Sequence, residues 1–87
     1  MLFKVVDKVR WKTDEWDKIF NLVNDFKKEF EVKLKSINNF DGELYFNLDG
    51  WIICIEENNS GFWVTLESNT SKADFDEKYE FVFSRLS

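Results

Sequence analysis

Residues 43–67 read ELYFNLDGWIICIEENNSGFWVTLE, and this stretch decides the fold. Two apolar, alternating runs are separated by Asp49-Gly50, a dipeptide typical of a two-residue β-hairpin because both turn positions need a positive φ. Counting outward from that turn gives the register of the two strands. It predicts three cross-strand pairs on one buried face: Leu48–Trp51, Phe46–Ile53 and Leu44–Ile55.

The opposite face of this hairpin mixes acidic and apolar side chains. Its members are Glu43, Tyr45, Asn47, Ile52, Cys54 and Glu56. A four-residue connection, residues 58–61, is predicted to lead into a further strand over residues 62–67. That strand continues the buried face through two pairs, Ile55–Val64 and Ile53–Leu66. It also adds three residues to the opposite face: Trp63, Thr65 and Glu67.

Upstream of the hairpin, a helix over residues 14–30 is predicted, with Thr13 as its N-cap. Its apolar stripe is wide enough to cover a sheet face. The stripe consists of Trp16, Ile19, Phe20, Val23, Phe26 and Phe30. Residues 31–39 are predicted to form the next strand, and Phe40-Asp41-Gly42 suits a three-residue loop. That loop would place Leu34 opposite Leu48 and Ile37 opposite Tyr45.

The start of the chain, residues 2–12, alternates over most of its length and predicts a strand. Val6-Asp7 interrupts the alternation, which indicates a bulge, and a short helix is the competing interpretation. Four basic residues share one side of this strand: Lys4, Lys8, Arg10 and Lys12. We interpret them as guards of a sheet edge, with contact to nucleic acid as the alternative.

The end of the chain predicts a second helix, which residues 68–71 precede and cap. Its apolar stripe consists of Phe75, Tyr79, Val82, Phe83 and Leu86. Phe81 falls off this stripe toward solvent, beside Glu77 and Glu80. The predicted order is β-α-β-β-β-β-α in a single domain, residues 1–87. We therefore predict an α+β fold, an antiparallel four- to five-stranded sheet packed against two helices.

Composition argues against an enzyme. The 87 residues include no histidine and one cysteine, Cys54, so the commonest general base and metal ligand is missing. Cys54 lies mid-strand without a neighbouring base and is predicted to be an apolar filler. We expect no catalytic residue, cofactor or metal, although carboxylate pairs leave a small hydrolase or a metal-dependent enzyme as a minor alternative.

Charge is distributed unevenly along the chain, whose formal net charge is −5. Residues 36–87 hold three Lys/Arg and ten Asp/Glu, a net charge of −7, and no basic residue lies between Asp41 and Glu67. Such a field repels phosphate and attracts basic partners, so we expect no direct nucleic-acid binding by this half. A single cysteine, no signal peptide and no long apolar run predict a cytoplasmic protein without membrane contact.

The opposite face of the sheet is the predicted binding surface. Its central row is Ile37, Tyr45, Cys54 and Thr65, flanked by Ile52 and Trp63 and bordered by Glu43, Glu56 and Glu67. An apolar centre inside a charged border is typical of protein interfaces. The alternative is that the second helix covers this face as core. Further candidates for partner contact lie on that helix: Glu77, Glu80 and Phe81.

A small acidic domain can occupy the basic nucleic-acid channel of an enzyme by placing carboxylates where phosphates would lie. In size and charge, the chain resembles phage-encoded inhibitors of bacterial defence, the anti-CRISPR and anti-restriction proteins. The resemblance implies a protein partner with a basic surface, such as a nuclease, inside a bacterial cell. Two alternatives stay open: an immunity protein against a toxic nuclease, and a structural module that forms homo-oligomers, such as a homodimer, through the aromatic face.

Overall fold

The computed structural model of this chain describes residues 1–59 and 61–86. Its elements are β1 (Leu2–Val9), α1 (Trp16–Phe30), β2 (Ser36–Phe40), β3 (Glu43–Asn47), β4 (Trp51–Asn58), β5 (Gly61–Asn69) and α2 (Lys72–Ser84). The strands form one antiparallel sheet in the order β1-β5-β4-β3-β2, so β1 and β2 are its edges. The α+β prediction and the predicted order of elements are confirmed.

The Asp49-Gly50 turn forms as predicted. Asp49 and Gly50 have φ values of 51° and 92°, and the flanking residues exchange both backbone hydrogen bonds. The Leu48 N–H donates to the Trp51 oxygen over 2.7 Å, and the Trp51 N–H donates to the Leu48 oxygen over 3.2 Å. The predicted pairs beyond the turn are confirmed on both sides of β4: Phe46–Ile53, Leu44–Ile55, Ile55–Val64 and Ile53–Leu66.

The predicted register of β2 is wrong by one residue. Asp41-Gly42 is a two-residue turn with φ values of 54° and 81°, so Phe40 is paired with Glu43 and does not belong to the loop. The reason is that Asp-Gly satisfies both positive-φ positions here, as it does in the next hairpin. Ile37 consequently lies opposite Phe46, not Tyr45, and Leu34 precedes the strand instead of facing Leu48.

The connection between β4 and β5 is shorter than predicted. Asn58 pairs with Gly61, which leaves two residues between the strands where four were expected. One of these two, Ser60, lies outside the described residues.

The β1 strand is confirmed over Leu2–Val9, whereas Arg10 and Lys12 lie beyond its end, and the predicted bulge is wrong. Its pairing with β5 runs without interruption from Leu2–Asn69 to Val9–Phe62. The alternation of apolar and polar residues is interrupted because Asp7 lies on the side of the sheet that faces the helices. Asp7 tolerates this position because it is at the sheet edge and remains exposed. Val6 faces the other side of the sheet.

Both helices pack on the same face of the sheet. From α1, the fully buried Phe26 ring contacts Trp51 of the sheet and Phe81 of α2 at centroid distances of 6.0 and 6.2 Å. From α2, Phe75 stacks on Trp51 at 5.9 Å. One core therefore joins the sheet, α1 and α2.

Two details of the helices differ from prediction. Thr13 does not cap α1; the N-cap is Glu15, whose carboxylate accepts the Lys12 N–H over 2.7 Å. Phe81 does not face solvent, because its ring packs 5.0 Å from that of Phe30. The single-stripe prediction failed at Phe81 because α2 is buried in two directions, against the sheet and against α1.

Candidate protein-binding surface

The sheet face that lies away from both helices is called the open face below. Antiparallel pairing arranges its side chains in rows that run from β1 to β2, since directly opposed residues point to the same side. Three rows cross all five strands: Lys4–Glu67–Ile52–Asn47–Ser36, Val6–Thr65–Cys54–Tyr45–Asn38 and Lys8–Trp63–Glu56–Glu43–Phe40.

The open face contains most of the predicted contact residues. It brings together six of them: Glu43, Tyr45, Ile52, Glu56, Trp63 and Glu67. Trp63 retains 39% of its exposure and Tyr45 is half-buried. The alternative in which α2 covers this face is therefore wrong. One member of the predicted central row also changes, because Asn38 takes the position assigned to Ile37.

The carboxylate of Glu43 organises the centre of the open face. Its Oε2 accepts a hydrogen bond from the Tyr45 hydroxyl, and the Cys54 Sγ lies 3.8 Å from the same oxygen. The hydrogen bond to Glu43, helped by burial, raises the pKa of Tyr45 above its ordinary value. Burial and the negative charge of Glu43 raise the pKa of Cys54 to about 11. Both groups therefore keep their protons at neutral pH, and Cys54 is not an activated nucleophile.

Charge on the open face is segregated. Glu43 and Glu56 are directly opposed, an arrangement of like charges that costs stability in a sheet unless something compensates it. On the other side, Lys4 is opposed to Glu67, and the Lys8 ammonium lies 5.8 Å from the centre of the Trp63 ring. The face is thus acidic over β3, β4 and β5 and basic along β1.

Lys4 and Lys8 are residues of the open face that the sequence did not place there. Their alternation along β1 was visible, and it correctly put them on one side of the strand. The sequence did not show that β1 pairs with β5, because local sequence does not specify which strand an edge strand joins. Pairing with β5 sets them beside the acidic residues.

A shallow depression of ≈ 280 Å³ lies at the middle of the open face. Cys54, Thr65 and Val6 lie in the row that crosses its centre, and charged and aromatic side chains from β1, β3, β4 and β5 surround it. Cys54 is 8% exposed there, so the floor presents little reactive surface. The volume of the depression lies just below the roughly 300–1,000 Å³ of small-molecule sites.

The predicted contact residues of α2 lie elsewhere, in the helix layer. Glu77 and Glu80 are exposed, but the Lys78 ammonium is 2.9 Å from the Glu77 carboxylate. Phe81 is covered by Arg85, whose guanidinium carbon is 3.7 Å from the ring centre. The structure therefore does not join these residues to the open face, and Lys78 offsets the charge of Glu77.

Within residues 1–59 and 61–86, no three His, Cys, Asp or Glu side chains are grouped so that they could hold a metal ion. Over the same residues, neither helix has the length and apolar character needed to cross a membrane. No protein-family model matches this chain, and no curated protein or solved structure matches it significantly. Function is therefore inferred from the open face itself.

Raising the pH from 9 to 11 is expected to lower the free energy of unfolding in part through Cys54. Its folded pKa of about 11 exceeds the ordinary value of 9.0, so the unfolded chain loses this proton first. The stability linked to the thiol is complete below pH 9 and is lost as the pH rises toward 11. Urea unfolding across this range measures the loss, and Cys54→Ala should show a shallower decline. Parallel pH profiles for the two proteins would contradict this assignment.

Proposed function

We propose that this chain is a non-catalytic protein that binds another protein through the open face and inhibits it. The partner is an enzyme with a basic, nucleic-acid-binding surface, as in inhibitors of the phage anti-defence type. One observation supports this most: an uncovered sheet face combines three aromatic side chains, Phe40, Tyr45 and Trp63, with three carboxylates. Aromatic residues at the centre of a contact supply much of the binding energy, whereas charges at its border set orientation and association rate.

The acidic part of the open face would occupy positions that nucleic-acid phosphates take on the partner. Neighbouring strands are separated by about 4.8 Å, so Glu43 and Glu56 form a compact pair of negative charges. Binding a basic surface would relieve the repulsion between them, which gives the partner a direct electrostatic gain. Lys4 and Lys8 would then select the orientation, because a cationic surface that extended over β1 would be repelled.

An immunity protein that neutralises a toxic nuclease would use the same face in the same way. The identity of the partner separates these two possibilities. A bait carrying the wild-type chain should retain a nuclease from a lysate of the bacterial host, and purified complex should have reduced nuclease activity.

Neutralising the acidic residues of the open face is expected to weaken partner binding about tenfold or more. The variant combines Glu43→Gln, Glu56→Gln and Glu67→Gln, which keep the size of each side chain. Surface plasmon resonance at several salt concentrations measures affinity and association rate against the captured partner. The wild type should lose affinity steeply with salt, and the variant should lose it weakly.

The matched control removes the same net charge from the exposed side of α1 through Asp17→Asn, Asp25→Asn and Glu29→Gln. These three side chains are exposed and distant from the open face, so binding should change little. Equal behaviour of the two triple variants would contradict a localised acidic contact. Unchanged affinity and salt dependence in the open-face variant would overturn the proposal, provided that circular dichroism shows a folded protein.

A further inference from the structure

The edge strand β2 lacks the features that usually prevent edge-to-edge pairing. None of its five side chains, which read SINNF, is charged. Ile37 is 49% exposed and Phe40 is 71% exposed. Sheet edges in monomeric proteins are commonly guarded by charged residues, proline or a covering element. The other edge of this sheet follows that rule, because β1 carries Lys4, Asp7 and Lys8.

The backbone of β2 has hydrogen-bonding groups directed away from the sheet. Residues that flank a two-residue turn exchange both hydrogen bonds, as Leu48 and Trp51 do, so Phe40 is bonded to Glu43 in the same manner. Alternation along an antiparallel pair then turns the N–H and C=O of Asn39 and Ile37 outward. Two donors and two acceptors are thereby available to a further strand.

Charges on either side of β2 are complementary to each other under a two-fold rotation. Lys35 precedes the strand, and Asp41 follows its uncharged segment. We propose that two copies of this chain pair antiparallel along β2, about a two-fold axis at Asn38. Lys35 of one copy then lies opposite Asp41 of the second copy. Both ends of the contact gain opposite-charge neighbours.

The same register uses the outward backbone groups. Ile37 of one copy faces Asn39 of the other, so each of the two equivalent pairs exchanges two hydrogen bonds. The two Ile37 side chains become diagonal neighbours on the helix side of the joined sheet. They approach the exposed side of Phe20, which is 42% exposed and packs against Phe46, the partner of Ile37 within each chain.

The β1 edge is less suited to the same contact. It carries Lys4, Asp7 and Lys8, and antiparallel pairing of two copies about Val6 would set Lys4 directly opposite Lys8 of the second copy, twice over. Like charges in that position oppose pairing. The uncharged strand β2 is therefore the better edge for a second copy. Because β2 is short, its contact area falls below the roughly 1,600 Å² of a standard stable interface, and we expect a reversible, concentration-dependent dimer.

Position 38 tests this register because it lies on the proposed two-fold axis, where Asn38 of one copy faces Asn38 of the second copy. Asn38 is exposed, so Asn38→Lys and Asn38→Glu are both compatible with the folded monomer. Each variant alone brings like charges together and should dimerise about two- to fivefold more weakly than the wild type. An equimolar mixture pairs Lys with Glu and should recover wild-type dimerisation or exceed it. Sedimentation equilibrium over a concentration series gives the dimerisation constants.

Two controls separate this contact from other modes of association. Asn24→Lys and Asn24→Glu make the same charge changes on the exposed side of α1 and should leave dimerisation unchanged, alone or mixed. Trp63→Ala alters the open face and should also leave it unchanged. A wild-type chain that stays monomeric at every concentration would overturn the proposal. So would a mixture of the two Asn38 variants that dimerises no better than either one, or a loss of dimer in Trp63→Ala.

Discussion

Gly61→Ala is expected to lower the free energy of unfolding by about 3 kcal/mol or more, among the largest effects of any single substitution in this chain. Gly61 begins β5 with a φ of 150°, a conformation that side chains rarely adopt. An added Cβ would also overlap the backbone oxygen of Val9 and lie 2.9 Å from that of Trp11. Backbone atoms cannot move aside as a flexible side chain can, so the end of β1 would have to separate from β5.

Gly42→Ala is the matched control for this effect. Gly42 also has a positive φ, 81°, but no atom lies within 4 Å of the position that its Cβ would occupy. Only the backbone cost of about 1–2 kcal/mol applies. Urea unfolding followed by tryptophan fluorescence compares the two variants, and equal losses would show that close approach of β1 does not matter. In Gly61→Ala, but not in Gly42→Ala, amide hydrogen exchange should become faster at residues 2–11.

Phe26→Ala is expected to cost about 4 kcal/mol, because the substitution leaves a cavity where three elements meet. The Phe26 ring is fully buried and contacts Phe30, Trp51 and Phe81. A domain of this length has a total stability of roughly 4–13 kcal/mol, so the variant would retain little of it. Thermal and urea unfolding measure the loss.

A conservative variant keeps this prediction measurable if Phe26→Ala does not fold. Phe26→Leu retains most of the apolar volume and should cost about 1 kcal/mol. Phe20→Ala is the control for ring removal from the same helix, because Phe20 is 42% exposed, whereas Phe26 is fully buried. We expect it to cost clearly less than Phe26→Ala. Equal losses at Phe20 and Phe26 would mean that α1 is not held through the interior of the core.

The parts of the fold that could be predicted are those fixed by local chemistry. Asp49-Gly50 sets both the turn and the pairing of β3 with β4, and alternation then assigns every residue of these strands to a face. The sequence therefore placed Tyr45, Trp63 and the three Glu residues on the open face correctly, but it missed Phe40. Asp41-Gly42 forms the same kind of two-residue turn. The predicted register of β2 was wrong because Phe40 was counted as a loop residue and not as the last residue of the strand.

The parts that could not be predicted depend on contacts between distant segments. Nothing local indicates that β1 joins β5, so the lysines of the open face were assigned to an edge without a neighbour. Nothing local shows that α2 packs beside α1 on one side of the sheet. Phe81 illustrates the consequence, because a helix with one neighbour has one apolar stripe, whereas α2 has two neighbours. Thr13 is not the cap, because α1 begins at Trp16 and its N-cap is Glu15.

The pairing of β1 with β5 has a consequence for the order in which the molecule assembles. Strands β2 to β5 follow one another through short turns, so their contacts form between neighbours in the chain and close quickly. Leu2, in contrast, is paired with Asn69, and this contact encloses most of the chain in a loop with a high entropic cost. During synthesis, β1 leaves the ribosome before the other four strands but has no partner in the sheet until β5 has followed. We therefore expect β1 to join the sheet after the other strands have paired.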